Sequence, residues 1–348
     1  MKRFSFFRVS IVAITLTVSP QIACVRAQTS DAGSYLDAIN VEFGAISKEM
    51  MSYISAVNHG KSARKVEKRR TELVLQTKES ERKVRTLKPF EGETRLRDSV
   101  AAYFRMCNLI INRDYSKIVN MEEIAEQSYD AMEAYLLAKE KAGERISLAY
   151  DAAEKEYYAF AASQNIRIIE NESKLSQKLK ETGEVNDYHD KVYLLFFKSY
   201  KNEAYMLEAM NKGNVGAIEQ TRNALLTSAK EDLEKLAKVQ AFKNDVSLKR
   251  ATQDMLNFYA MEAEKMSTTV DFFLAQESFE KQKKAIESKG ASKRTQEDVD
   301  TYNKAVNDFN QKVKQSNQLN EELNKKRNSF LKEWNARSEE FLDKHTPK

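Results

Sequence analysis

One helical pattern is written twice in this chain, and this duplication constrains the fold more than any other feature. Residues 66–96 align with residues 218–248 at a constant offset of 152 positions. Up to Leu87 in the first copy and Val239 in the second, the stripe positions are alternately four and three residues apart, which places them on one face of an α-helix. We therefore expect two related helical units in tandem. Aligned pairs include Val66 and Ile218, Leu73 and Leu225, Val84 and Leu236, Phe90 and Phe242, and Leu96 and Leu248.

Few residues in the chain break helices. Three prolines and nine glycines occur in 348 residues, so few positions favour the turns that strands need. The stretch from Thr295 to Lys344 carries apolar residues at a sustained 3.5-residue period, which is typical of coiled-coil-like packing. We predict an all-α fold, built as an elongated tandem pair of related antiparallel helical bundles with long coiled-coil-like helices.

The helix boundaries and the division into domains follow from the same patterns. The first helix is predicted to start after Ser34 and to end at Gly60, and one helix is predicted to run from Leu248 as far as Lys289. Because the first helices align at an offset of 153, the turn after the first helix of the second unit should be one residue shorter. The predicted division is a signal peptide at 1–27, a first helical bundle at 28–165, a joint at 166–187 and a second helical bundle at 188–348.

The N-terminus has the layout of a secretory signal. Basic residues precede an apolar run from Val9 to Val18, which is too short to cross a bilayer as a helix. Cleavage before Gln28 is favoured, and lipidation of Cys24 is the alternative. We therefore expect an extracytoplasmic protein, located in the periplasm, at the cell surface or secreted, with no transmembrane span in the mature chain.

The charge balance argues against a nucleic-acid partner. The whole chain has 57 basic and 52 acidic side chains, but the predicted signal contains four of the basic ones and no acidic one. The mature chain is then close to neutral, with both signs interleaved. The electrostatic footprint of a nucleic-acid binder is missing.

The residues that usually carry chemistry are sparse and unpaired in the sequence. None of the three histidines, His59, His189 and His345, has a partner at metal-ligand spacing. Gly-rich phosphate loops, Ser-nucleophile turns and Cys-x-x-Cys pairs are also absent from the sequence. After signal removal Cys107 is the remaining thiol, and its place on an apolar stripe favours a buried hydrophobe over a reactive group. We expect no enzyme activity, no metal and no cofactor.

Two arginines occupy matching positions on the duplicated stripe. Arg70 and Arg222 lie where an apolar residue is expected. Such a charge must either lay its stem along the core or meet a carboxylate of a neighbouring helix. We interpret the two arginines as structural pins between helices, each at a similar depth in its own unit; an anion site is the alternative.

A row of asparagines follows the seam of the last helix. One amide recurs every seven residues on a constant face, which suits hydrogen bonds to facing helices. A polar face for glycan or protein recognition is the alternative interpretation. The row consists of Asn303, Asn310, Asn317 and Asn324.

Four strings in the chain carry a resemblance to a known family. The chain resembles an uncharacterised family of exported, all-helical surface proteins of Bacteroidota-type bacteria and leptospires. The resemblance spans nearly the whole mature region and implies an envelope location and a helical fold, but it supplies no active site. The strings are Val119–Glu126, Phe196–Tyr205, Tyr302–Asn310 and Phe341–Pro347.

The sequence favours a binding role over a catalytic one. The leading hypothesis is an exported, non-enzymatic helical protein, at the surface or in the periplasm, that binds a protein or an envelope component. The alternative is a periplasmic small-molecule carrier. A carrier would need a cavity inside one bundle, lined by Tyr193, Phe197 or Tyr200.

Overall fold

The computed structural model describes residues 31–114, 128–168 and 173–348, and over these residues the protein is helical with no β-strand. This confirms the predicted all-α class. The predicted signal peptide and the string Val119–Glu126 lie outside the described residues. The helices are α1 (Asp31–Asn58), α2 (Ala63–Thr86), α3 (Arg95–Leu109, continued by a π-helical turn, Ile110–Asp114), α4 (Tyr129–Ser163), α5 (Lys174–Asn211), α6 (Val215–Ala237), α7 (Ser247–Lys265), α8 (Ser267–Ser288) and α9 (Gln296–His345).

The described chain divides into two compact units. The first contains the residues up to Lys191 together with Glu339–Lys348, and the second contains Val192–Ser338. This division differs from the predicted one in two respects. Most of the predicted joint, 166–187, lies within α5 and the first unit, and the last ten residues belong to the first unit rather than to the second.

Hydrogen bonds explain why the last residues belong to the first unit. The side chain of Asn58, at the end of α1, donates to Asn186 Oδ1 at 2.8 Å and to Thr346 Oγ1 at 3.0 Å. Next to it, His59 Nδ1 lies 2.6 Å from Asp343 Oδ1. The buried Phe341 ring packs on Tyr188 with 5.3 Å between ring centroids. These side chains are polar or lie near a helix end, so the apolar periodicity did not predict their contacts.

Apolar stripes of the predicted residues form the core of each unit. In the first unit α1 packs on α2, α2 on α3, and α3 on α4; in the second, α6 packs on α7 and α8. The fully buried side chains of the first unit include Leu36, Ile39, Leu73, Val100 and Phe104, and those of the second include Phe196, Ile218, Leu225, Met255 and Tyr259.

The turn between the second and third helices is the same in both units. Residues 90–93 and residues 242–245, which are 152 positions apart, each close a reverse turn with an isolated β-bridge. The two central residues of each turn have a left-handed backbone conformation, which residues other than glycine rarely adopt. Their φ angles are 49° for Glu91, 84° for Gly92, 48° for Lys243 and 67° for Asn244.

The turn between the first two helices of each unit also corresponds, with the predicted difference in length. Gly60 and Gly213 end α1 and the aligned α5 with φ of 58° and 63°, the conformation of a glycine cap. Helix α2 begins after Ser62, whereas α6 begins after Asn214. The second turn is therefore one residue shorter, as the change of offset predicted.

One predicted helix is in fact two. The stretch from Leu248 to Lys289 was expected to be continuous, but α7 ends at Lys265 and α8 starts at Ser267. Met266 between them is buried and keeps a right-handed helical backbone, so the break leaves almost no trace in the apolar pattern. The last helix, α9, matches its predicted extent to within one residue at each end.

We expect Asp245 to stabilise the start of α7. Its Oδ1 accepts a hydrogen bond from the backbone N–H of Ser247 at 2.8 Å, as Glu93 Oε1 does from Arg95 at 3.1 Å in the first unit. Asp245→Ala should lower the free energy of unfolding by about 1 kcal/mol, measured by denaturant titration. Asp254→Ala, an exposed aspartate within α7, is the control; equal losses in both variants would contradict the assignment.

Candidate functional site

The most unusual polar feature of the second unit is a buried group of two carboxyls and one guanidinium. Glu203 on α5, Glu262 on α7 and Arg327 on α9 converge there. Arg327 donates from Nε to Glu203 Oε1 and from Nη2 to Glu262 Oε1. The side chains of Glu203, Glu262 and Arg327 are 3%, 0% and 11% exposed. We call Glu203, Glu262 and Arg327 the carboxyl–arginine cluster.

The electrostatics of the cluster favour one bound proton. Burial of Glu262, reinforced by the neighbouring Glu203, raises its pKa to about 9 even though Arg327 lowers it. One guanidinium balances one carboxylate, so a protonated Glu262 leaves the cluster without net charge. Glu262 Oε2 is buried without a hydrogen-bond partner, which a neutral carboxyl tolerates better than a carboxylate does. The cluster can therefore hold a proton at neutral pH and release it in alkali.

Tyr259 extends the cluster within the core. Burial raises the pKa of Tyr259 well above its ordinary value, and the negative charge of Glu203 adds to this effect. Burial alone would lower the pKa of Arg327, but its two carboxyl partners outweigh that and raise it. All of these groups lie inside the bundle, so the cluster offers a titrating centre rather than an open face for a substrate.

Comparison of the two copies shows which signal in the sequence points to the cluster. The first-unit positions that align with Glu203 and Glu262 are Met50 and Ile110, which are 1% and 0% exposed. The same place in the fold thus accepts apolar side chains. The partners of Arg327 lie 124 and 65 residues away in the sequence. The replacement of aligned apolar residues by two acids was the available signal.

In each unit a buried acid contacts a lysine, and the two lysines occupy the same aligned position. In the first unit Glu42 on α1 accepts from Ser80 Oγ at 2.6 Å and from Lys83 Nζ at 3.0 Å. In the second unit Asp232 stands where Ser80 stands in the first, and Lys235 Nζ lies 2.9 Å from its Oδ1. Burial raises the pKa of Asp232 despite this lysine. The buried acid therefore lies on the first helix of one unit and on the second helix of the other, whereas the position of the lysine is the same in both.

The structure places Arg70 in a pair within its own helix. Its Nη2 and Nε donate to the two carboxylate oxygens of Glu67 at 2.6 and 2.9 Å, and its Nη1 donates to the Ile111 carbonyl at 3.4 Å. The pairing with Arg70 lowers the pKa of Glu67, and burial only partly opposes it. Glu67 is three residues before Arg70, a spacing that brings the two side chains together on a helix. The Ile111 carbonyl is a contact of Arg70 outside α2.

Arg222 differs from the predicted pin. Its Nη2 donates to Asn223 Oδ1 at 3.0 Å, and its Nε is buried without a hydrogen-bond partner. Within the described part of the chain it forms no ion pair with a carboxylate. Glu219, which corresponds to Glu67, is exposed and makes no described contact with Arg222. The shared arginine position therefore does not carry a shared ion pair.

The asparagine row lies on the outside of α9. All four side chains, Asn303, Asn310, Asn317 and Asn324, are exposed. Asn324 accepts a hydrogen bond from Arg327 of the same helix. The neighbouring face of α9 packs inward, with Leu323 and Trp334 buried. This arrangement favours the recognition interpretation of the row over hydrogen bonds to facing helices.

The rings proposed to line a carrier cavity pack on one another. Tyr193 stacks on Phe197 with 5.4 Å between centroids and lies 5.8 Å from Trp334. Phe196 stacks on Trp334 at 4.1 Å, and Tyr200 contacts Phe197 at 6.0 Å. The indole N–H of Trp334 donates to the buried Thr252 hydroxyl at 2.9 Å. These aromatic side chains form packed core.

His59, His345 and Cys107, which were candidates for chemistry, lie in the first unit. His59 pairs with Asp343, whose pKa it lowers, and the His345 ring packs on Phe341 at 4.8 Å. Burial raises the pKa of the Cys107 thiol to about 12, so the predicted buried hydrophobe is confirmed. Among the described residues no group of three His, Cys, Asp or Glu side chains is placed to hold a metal ion.

Neutralising Glu262 should change how stability depends on pH. Because its pKa is raised, Glu262 contributes stability that is fully present below its unfolded pKa and is lost as pH rises towards 9. Between these limits the contribution falls by about 1.4 kcal/mol per pH unit. Glu262→Gln should remove this decline in thermal melts between pH 6 and 9. Glu321→Gln, an exposed acid on α9, should keep the wild-type slope; an unchanged slope in Glu262→Gln would contradict the bound proton.

Breaking the cluster should cost more than removing it. Arg327→Met leaves buried Glu203 unpaired, so we expect a loss of about 3–5 kcal/mol in unfolding free energy. The triple variant Glu203→Met, Glu262→Ile, Arg327→Met installs the apolar residues that the first unit uses at Met50 and Ile110. It should recover most of the loss in denaturant titration. A triple variant as unstable as the single one would show that the cluster is needed for packing.

Comparison with known proteins adds no family to this description. No protein-family model, no curated protein and no solved structure matches the chain. None of the described helices is both long and apolar enough to cross a membrane. The assignment of function therefore rests on the exposed and buried side chains described above.

Proposed function

We propose that this is an exported, non-enzymatic helical protein that binds a protein or an envelope component through the outer face of α9. The observation that carries the proposal is the exposed asparagine row, Asn303, Asn310, Asn317 and Asn324. Export is supported by the layout of the N-terminal residues. The family resemblance agrees with an envelope location.

The spacing of the row suits recognition of an extended partner. Seven residues correspond to about 10.5 Å along a helix, so the row covers roughly 30 Å of α9. Each amide both donates and accepts hydrogen bonds. The row thus offers repeated polar contacts without net charge, which fits a glycan chain or a polar protein surface.

The two units are proposed to be copies of one antiparallel helical bundle, arranged in tandem and elongated by the coiled-coil-like α9. The aligned reverse turns at 90–93 and 242–245 support this proposal, as do the glycine caps Gly60 and Gly213. The 3.5-residue period along α9 supports its coiled-coil character.

The carrier is the weaker alternative. Its predicted cavity lining, Tyr193, Phe197 and Tyr200, lies in ring-to-ring contact. Binding a small molecule there would require these rings to separate from one another, and Tyr193 to separate from Trp334. Burying aromatic side chains is a major stabilising term in a core, so opening this site would be costly.

Affinity capture from an envelope extract tests the asparagine row. We expect the chain with all four asparagines changed to alanine to retain at least tenfold less partner, since each lost hydrogen bond costs about 0.5–1.5 kcal/mol. The matched control changes four exposed amides of the second unit, Gln220, Gln253, Asn257 and Gln276, to alanine. Equal capture by both variants, with equal melting temperatures, would place the binding surface elsewhere.

A further inference from the structure

We propose that the outward face of the start of α2 binds the surface of a bilayer containing anionic phospholipids. The face is formed by Arg64, Lys65 and Lys68, and we call it the basic face. It belongs to the first unit and is separate from the asparagine row. The inference goes beyond the proposed function by adding a second binding surface, and it rests on the proposed extracytoplasmic location.

The two copies of this helix differ strongly in charge. Helix α2 has nine basic and four acidic side chains, whereas the aligned α6 has three basic and four acidic ones. The two helices share their buried stripe, including the buried Leu73 and Leu225. A difference of six charges between helices with the same stripe lies mainly on their surfaces, and the packed core does not require it.

The basic face itself has neutral counterparts. Arg64, Lys65 and Lys68 align with Gly216, Ala217 and Gln220. The fold thus needs no cation at any of these three positions. A cluster of like charges at the start of a helix is also unfavourable, because the helix dipole repels cations there. Its presence in one copy alone indicates a role outside the fold.

The cations of the basic face are exposed and little neutralised. Arg64, Lys65 and Lys68 are all exposed, and neither Arg64 nor Lys65 forms an ion pair with a described residue. The nearby acids are already engaged. Glu67 pairs with Arg70 at 2.6 Å, and Glu72 pairs with Arg69 at 2.8 Å, while Lys68 reaches Glu72 only at 3.9 Å.

The shape of the basic face favours a lipid surface over a single bound anion. The three side chains are exposed along one helix, whereas Val66 between them is buried. Long, flexible stems allow each cation to reach its own phosphate. A bilayer offers many phosphates in one plane and attracts each nearby Lys or Arg by about 1 kcal/mol.

Vesicle flotation tests the inference with the purified chain from Gln28 onward, which keeps every described residue. Wild type should float with phosphatidylcholine vesicles containing about one-third phosphatidylglycerol and should not float with pure phosphatidylcholine. Arg64→Gln, Lys65→Gln, Lys68→Gln should weaken binding roughly 100-fold, at about fivefold per cation. High salt should release the wild type, because exposed charges are screened.

Matched controls separate this face from net charge and from the asparagine row. Changing three exposed lysines of α9, Lys304, Lys314 and Lys325, to glutamine removes the same charge and should leave vesicle binding unchanged. The four-asparagine variant should also bind vesicles normally. Vesicle flotation therefore tests the basic face, and affinity capture tests the asparagine row independently. No binding by wild type, equal loss in the α9 lysine variant, or competition by millimolar inorganic phosphate or duplex DNA would overturn the assignment to a bilayer.

Discussion

Burial of one apolar stripe per helix is the constraint on which the rest of this structure depends. On the duplicated stripe, Leu73 in α2 and Leu225 in α6 are fully buried. The hydrophobic effect stabilises such a side chain by about 1.5–3 kcal/mol when it is withdrawn from water. Once these stripes face inward, the direction of every other side chain on the helices is determined. The remaining positions are free to carry charge, amides or caps.

Partners then stabilise the charged groups inside each unit, and the two units use different ones. Glu42 in the first unit takes a serine and a lysine, whereas Asp232 in the second takes only the lysine at the corresponding position. The carboxyl–arginine cluster is a further difference, because the first unit fills the aligned positions with methionine and isoleucine. The copies thus share a backbone plan and differ in their interior electrostatics. Replacing a whole buried ion pair with apolar residues often changes stability little. Such pairs are therefore free to differ between the two units.

Periodicity was enough to predict the helical class, the shared stripe, the shortened turn after Gly213 and the extent of α9. It could not predict the break at Met266, because a helical bend that keeps its residue buried leaves the apolar spacing unchanged. The joint was also misplaced, since polar residues near Lys174 resemble a linker yet form the start of α5. Helical spacing describes which residues share a face, but it carries no information about which helices meet.

The candidate sites show the same limit. The exposed face of α9 follows directly from the position of Asn310 and its repeats beside the seam. The partners of Arg327 do not, because they lie on two other helices far away in sequence. Arg70 was expected to meet a carboxylate of a neighbouring helix, and the structure pairs it with Glu67 on its own helix. Local spacing competes with tertiary contacts for the same charged group, and the sequence alone does not rank them.

The return of the last residues to the first unit has a consequence for the order of assembly. Asn58 and Thr346 are joined by a hydrogen bond across 288 residues of chain. The first unit therefore has a high contact order at this point, and closing so long a loop is slow compared with forming local helices. Helices α1 to α3 can pair early, but their unit is finished only when the C-terminal residues arrive. Synthesis from the N-terminus thus leaves the first-made unit to be completed last.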